Sequence, residues 1–281
     1  MPVAGPMDAY SLRAANLLVG NGDDAAGLEV TLLGPELQFD SASIAAVSGA
    51  QFSMTLDGVA FPFHTAVKVN AGSTLKFGER TRGAKAYLAV SGGILVPLVM
   101  GSRATHLPSG IGGLHGRALK AGDVLPIGDV VSADSVPAQP LPLPVGEARA
   151  RVLPGPHVGQ FGAGALDRLA SIVFRVSPQS NRLGYRLEGA RVEPSGRHTE
   201  LISVSMPLGG LQVPRSGEPI LLMADRGTTG GYPVIAVVIA ADLPVAGQLA
   251  PGDTLRFVPC TMEEALTALR HQEARLLGRA E

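Results

Sequence analysis

Apolar and polar residues alternate along this chain in short runs separated by Gly, Asp and Asn, the two-residue period of half-buried strands. In the first half the runs fall at 29–33, 44–47, 52–56, 74–77 and 86–90; in the second they fall at 150–153, 172–176, 201–205, 220–223, 234–240 and 254–258. Both halves therefore read as β-rich. Helical spacing predicts three helices. Asp8 is placed to cap the first, with Leu12, Ala15, Asn16 and Val19 near one face and Gly20 or Gly22 closing it. A second spans 164–170. The third spans 262–277, where Thr261 and Glu264 have the spacing of a capping box and Leu266, Leu269, Leu276 and Leu277 supply an apolar face.

One short pattern recurs three times: Val69-Asn-Ala-Gly-Ser-Thr-Leu-Lys-Phe77, Leu119-Lys-Ala-Gly-Asp-Val-Leu-Pro-Ile127 and Leu249-Ala-Pro-Gly-Asp-Thr-Leu-Arg-Phe257. Each reads as a Gly-centred turn feeding a strand, as in small barrels or sandwiches, and generic turn chemistry explains it as well as duplication does. Pro137, Pro140, Pro142 and Pro144 interrupt a stretch without apolar periodicity, which predicts an extended connector. The expected organisation is a β domain at 1–128, the connector at 129–148, a second β domain at 149–260 and a helix at 261–281.

Composition narrows the classes. Gly and Pro, 36 and 22 of 281 residues, make up about a fifth of the chain, while apolar residues at 46% suffice for a globular core. The net charge of −1 and the lack of a basic run exclude an electrostatic nucleic-acid footprint. The apolar stretches fall short of the ~20 residues a membrane helix needs. No secretory signal is visible, and the single cysteine, Cys260, has no partner for an internal disulfide, so a cytoplasmic protein is expected. Cys260 reads as a packed or surface thiol.

Three segments of the second half gather polar chemistry. In Leu221-Leu-Met-Ala-Asp-Arg-Gly-Thr-Thr-Gly-Gly-Tyr-Pro-Val-Ile235, two strand-like runs flank a connection longer than a plain hairpin needs. Asp225 and Arg226 offer opposite charges, Thr228 and Thr229 offer hydroxyls, and Gly230-Gly231 opens backbone N–H groups to a ligand oxygen. The competing reading is a surface turn in which Asp225 pairs with Arg226. The segment 177–189 adds Gln179, Asn181, Arg182, Tyr185 and Arg186, a polar wall or a solvated turn. Gln212 lies between apolar residues, so its amide is either a ligand contact or a core hydrogen-bonder. In the first half, segment 101–117 carries Arg103, His106, His115 and Arg117 among glycines. It lacks the setting of a dinucleotide fingerprint, and the two histidines lack a nearby third zinc ligand.

The segments Val3-Ala-Gly-Pro-Met-Asp8, Gly101-Ser-Arg-Ala-Thr105, Gly112-Gly-Leu-His-Gly-Arg117, Ser177-Pro-Gln-Ser-Asn-Arg-Leu-Gly-Tyr-Arg186, Gln212-Val-Pro214 and Thr228-Thr-Gly-Gly-Tyr-Pro233 occur in one order. Together they resemble the family of KipI antagonists and of the C component of 5-oxoprolinase, also called allophanate hydrolase subunit 2, which is related to part of the carboxyltransferase domain of urea carboxylase. The resemblance implies a mainly β fold of two β-barrel-like domains, the second cyclophilin-like. It further implies a complex with a KipI-like protein (the B component of 5-oxoprolinase) and a third protein (the A component) that uses ATP to open 5-oxoproline to glutamate. In the urea carboxylase branch a carboxyl group passes instead from carboxybiotin on a partner to a small amide. A third alternative is a regulatory antagonist that binds a KipI-like protein and does no chemistry.

On this reading Asp225 and Arg182 are the candidate catalytic residues, and Gln212, Thr228, Thr229, Gly230, Gly231, Tyr232, Tyr185 and Arg103 the candidate substrate contacts. The sequence departs from the family in three places. The family carries a further strand ahead of its Pro-Met-Asp motif, so part of the first barrel is expected to be missing here. Val204 stands where the family commonly has Glu, and Gly227 where it has Gln, which points to an altered substrate, reduced activity or a binding-only role.

Overall fold

A computed structural model describes residues 3–22, 24–130, 136–195 and 202–279. The chain divides into two compact units, one of residues 8–143 and 271–281 and one of residues 1–7 and 144–270.

In the N-terminal unit, helix α1 (Ala9–Leu18) begins at Asp8, whose carboxylate accepts hydrogen bonds from Ser11 N at 2.9 Å and Ser11 Oγ at 2.6 Å. Of the expected inward face Ala15, Asn16 and Val19 are buried and Leu12 is half-buried; Tyr10, Ala14 and Leu18 are buried beside them. The strands are β1 (Leu28–Thr31), β2 (Glu36–Gln38), β3 (Ser43–Leu56), β4 (Val59–Ala60), β5 (Val67–Val69) and β6 (Thr74–Val90). The pairs of short runs read at 44–56 and 74–90 are thus two long strands. They remain one ladder because the register shifts between Gly49 and Met54 let the pair bend without breaking.

This sheet is not a barrel, which corrects the expectation of two. β1 and β2 pair with β6, β4 and β5 pair with β3, and no ladder joins the two edges. The edge strands are too short to close it. β4 is two residues long and exposed at both, and Pro35 and Pro62 beside the edge strands lack the N–H a further ladder would need.

The C-terminal unit holds the one closed barrel among the described residues. Its strands are β7 (Ala148–Pro154), β8 (Val173–Val176), β9 (Gly184–Glu188), β11 (Gly210–Gln212), β12 (Ile220–Leu222), β14 (Val234–Val238) and β15 (Thr254–Pro259). The order around the barrel is β11-β12-β9-β8-β15-β7-β14, with β14 returning to β11; only β7 and β15 run parallel. A separate ribbon pairs β10 (Val204–Ser205) with β13 (Thr229–Gly230). Of the strand read at 201–205, Leu201 lies outside the described residues. Buried positions alternate along β7, β8 and β15, and Phe174, Leu187, Leu211, Leu221, Leu255 and Phe257 are fully buried in the interior.

Helix α2 (Ala165–Ser171) falls within a residue of its expected span, and α3 (Leu243–Gly247), with Pro244 in its first turn, was not expected. Helix α4 (Met262–Leu276) has the expected capping box: Thr261 N donates to Glu264 Oε2 at 2.7 Å, and Glu264 N to Thr261 Oγ1 at 3.2 Å. Leu276 is buried, but Leu266 faces solvent and the inward place is taken by Ala265. The three repeated turns all form, with Gly72, Gly122 and Gly252 at φ of 85°, 86° and 93°. Only the first and third continue into strands, β6 and β15; after Gly122 the chain makes a single bridge, Ile127 to Ile94.

Candidate functional site

Leaving β12, the chain makes a connection through 223–228 that is pinned at both ends. Met223 N donates to Leu183 O at 3.1 Å and Asp225 N to Arg182 O at 2.8 Å, which ties the segment to the turn before β9. At its far end Met206 N donates to Thr228 O at 2.9 Å, and the β10–β13 ribbon follows, placing Val204 opposite Gly230 and Ser205 opposite Thr229.

Asp225 does not pair with Arg226. Its carboxylate is only 1% exposed and takes a two-point bond from Arg182, Nε to Oδ2 at 2.9 Å and Nη2 to Oδ1 at 3.1 Å. Arg182 Nη2 also donates to the carbonyl of Gly5. Each member of the expected catalytic pair is thus held by the other. A buried, bidentate pair is a firm clamp.

The open valences lie around Met206, which is 3% exposed. Arg226, half-buried, donates Nε to Met206 O at 2.9 Å, and its two terminal nitrogens have no acceptor among the described residues. Burial pulls its guanidinium below the ordinary value, yet arginine stays charged at neutral pH. On the thioether side lies Gln212, at the end of β11 and 8% exposed. Its one hydrogen bond among the described residues is Nε2 to Met206 Sδ at 3.7 Å, a weak acceptor. The second N–H and the carboxamide oxygen have no partner among the described residues and are open to water or a ligand. Gly230 completes the cluster: a Cβ there would lie 2.8 Å from Gln212 Nε2 and 3.3 Å from Met206 Sδ, so a side chain at this position would push the amide or the thioether aside.

Gln212, Arg226, Thr228 and Gly230 therefore converge on one methionine. Thr229, Gly231 and Tyr232 follow in the same loop and are exposed, Tyr232 by 46%. One expected contact lies elsewhere. Tyr185 points into the barrel core, its hydroxyl 3.4 Å from Leu249 O. Arg103 belongs to the N-terminal unit, where Nη1 donates to Val96 O at 3.3 Å. Met206 was missed because a methionine between Ser205 and Pro207 gives no sign of being a hub, and Arg226, though counted among the loop's charges, was not among the candidate contacts.

The two family departures have structural readings. Val204 lies across the ribbon from Gly230, so a carboxylate there is absent from beside the cluster. At Gly227 a Cβ would meet only Thr229 O, at 3.3 Å, so the loop does not require glycine and its surface is bare where a side chain could stand. Among the described residues no three His, Cys, Asp or Glu side chains are grouped as metal ligands, and no helix is long and apolar enough to cross a membrane.

Residues 1–259 match the family described as carboxyltransferase domain, subdomains A and B. The chain is 42% identical over 269 residues to the C component of the 5-oxoprolinase of Escherichia coli K12, an alignment covering 96% of this chain and 86% of that protein. It is 36% identical to urea amidolyase of Saccharomyces cerevisiae over 97% of its own length, but spans only 16% of that protein. Its fold superposes on the crystal structure of the K. lactis urea amidolyase with a TM-score of 0.92 at 33% identity, covering all of this chain and 18% of that one.

Proposed function

Because the chain belongs to the carboxyltransferase domain family, subdomains A and B, and is a close homologue of the C component of 5-oxoprolinase, we propose that it is one part of a hetero-oligomeric, ATP-dependent enzyme that opens 5-oxoproline to L-glutamate. The observation that carries this reading is the alignment with that component, which extends over most of both chains. The Met206 cluster supplies the amide-binding half of the site, and a KipI-like partner together with a third protein makes up the rest of the enzyme.

A carboxamide presents an acceptor and a donor side by side, as does the edge of a lactam, so the free valences of Gln212 match those of a cyclic amide. As water adds to the lactam carbonyl and the C–N bond breaks, negative charge develops on the carbonyl oxygen. In this reading the Gln212 N–H and donors of the Thr228–Gly231 loop steady that charge; removing one such donor typically costs about 10²- to 10³-fold in kcat. ATP, consumed by the assembled complex, supplies the driving force. In this scheme Arg182 and Asp225 act as positioning residues that hold the loop, and Tyr232 forms its outer wall.

Purified with the KipI-like partner and the third protein, the chain should release glutamate from 5-oxoproline only when ATP is present, and Gln212→Leu should lower kcat at least tenfold. Glutamate release that does not need this chain, or none from the full complex, refutes the assignment. The full-length superposition on urea amidolyase favours a second reading, carboxyl transfer from carboxybiotin on a partner to a small neutral amide. Carboxylation of urea in the presence of a biotinylated carrier and a biotin carboxylase would decide for it.

A further inference from the structure

Resting on the reading of the Met206 cluster as an amide site, we propose that Arg226 selects an amide that carries a carboxylate over a neutral one. Three observations support this. Its Nε is committed to Met206 O at 2.9 Å, which anchors the guanidinium plane while leaving the fork of terminal nitrogens without an acceptor among the described residues. The neighbouring carboxylate cannot neutralise it, because both oxygens of Asp225 are taken by Arg182. Thirdly, Arg226 is half-buried, so its charge is incompletely hydrated.

A cation in this condition attracts an anion more strongly than a solvated surface arginine does, and a planar fork matches a carboxylate at two points. Its anchor, Met206, also touches the open carboxamide of Gln212. An amide held by Gln212 thus has a fixed positive charge at the other side of the same methionine. That arrangement fits a small amide bearing a carboxylate a few bonds from its carbonyl and gives no advantage to urea or a neutral lactam.

The test titrates the ¹⁵N-labelled full chain with 5-oxoproline, an anion at neutral pH, and with 5-oxoprolinamide, the same lactam without the charge, following the Gln212 side-chain and Gly230 backbone signals. The wild type should bind 5-oxoproline at least tenfold more tightly. Arg226→Gln should weaken 5-oxoproline at least tenfold while leaving 5-oxoprolinamide within about twofold, and Arg226→Lys, which keeps the charge but not the fork, should retain most of the preference. A merely structural role for Arg226 predicts equal loss for both ligands, and that result overturns the proposal. So does equal affinity of the wild type for the two. If neither ligand shifts either signal, the amide-site reading itself fails and this inference falls with it; if both bind without regard to charge, only the inference falls.

Discussion

Two regions of the molecule hold a buried polar residue with open hydrogen-bonding capacity, and they differ in whether the open atom is itself buried and in what surrounds it. In the glycine-rich loop of the N-terminal unit, His106 is 6% exposed; Nδ1 meets Ser109 Oγ at 2.9 Å and Nε2 has no partner among the described residues. The loop is packed through close contact, with Gly112, Gly113 and Gly116 at positive φ where side chains would collide. In the C-terminal unit the open groups of Gln212 and Arg226 meet at Met206, beside exposed hydroxyls and a glycine backbone. One unmet valence marks a packing cost, whereas several aimed around one point mark a place for a ligand.

The scaffolds differ in the same sense. The barrel has no edges, so its loops leave a frame whose strands are all paired, and the clamp of Arg182 on Asp225 fixes one of them further. The N-terminal sheet stays open, with short edges and long bent strands.

The largest predicted effect breaks the clamp. Arg182→Ala leaves the Asp225 carboxylate buried without its partner and should cost about 3–5 kcal/mol in urea unfolding. Hydrogen exchange should show the loss at β9, β11 and β12 while β3 and β6 keep their protection. Uniform loss of protection would show that the two units do not respond separately.

A smaller effect separates a glycine that packing demands from one that it does not. At Gly116, φ is 65° and a Cβ would lie 1.9 Å from Gly110 O, so Gly116→Ala should cost about 2–3 kcal/mol through left-handed strain and overpacking. Gly227→Gln, on the site loop, should stay within about 1 kcal/mol of the parent, because a Cβ there meets only one atom at 3.3 Å. Parallel denaturation curves compare the two; equal costs would refute the contrast.

The smallest effect is a pH dependence of the N-terminal unit. Burial pushes the Tyr10 phenol up to about 12, partly offset by Arg275, and its hydroxyl donates to Gln139 O at 2.6 Å. The folded state therefore keeps its proton over a range where the unfolded chain has lost it. The stability this confers is complete below pH ~10 and declines as pH rises towards 12. Tyr10→Phe should flatten that decline at the cost of about 1 kcal/mol for the lost hydrogen bond. An unchanged alkaline slope would remove Tyr10 as its cause.

Local chemistry made much of this legible. Asp8, Thr261 and Glu264 cap the helices as their spacing predicts, and the three repeated glycines turn the chain as expected, because caps and turns are decided within a few residues. Long-range pairing was not legible. β9 hid inside a segment read as a polar wall, so Tyr185 went from proposed ligand contact to barrel core; β3 and β6 each read as two strands because bulge residues break the alternation. At the site, the inward amide of Gln212 showed in its apolar neighbours. That Asp225 would choose Arg182 over the adjacent Arg226 depends on the turn before β9, which sequence spacing does not encode.

The most direct test of the account is the structure of the assembled enzyme with 5-oxoproline bound. It should place the lactam within hydrogen-bonding distance of the Gln212 carboxamide and the Thr228–Gly231 loop, with the carboxylate on the Arg226 fork. Clear density for the ligand elsewhere, with the surroundings of Met206 empty, would contradict it.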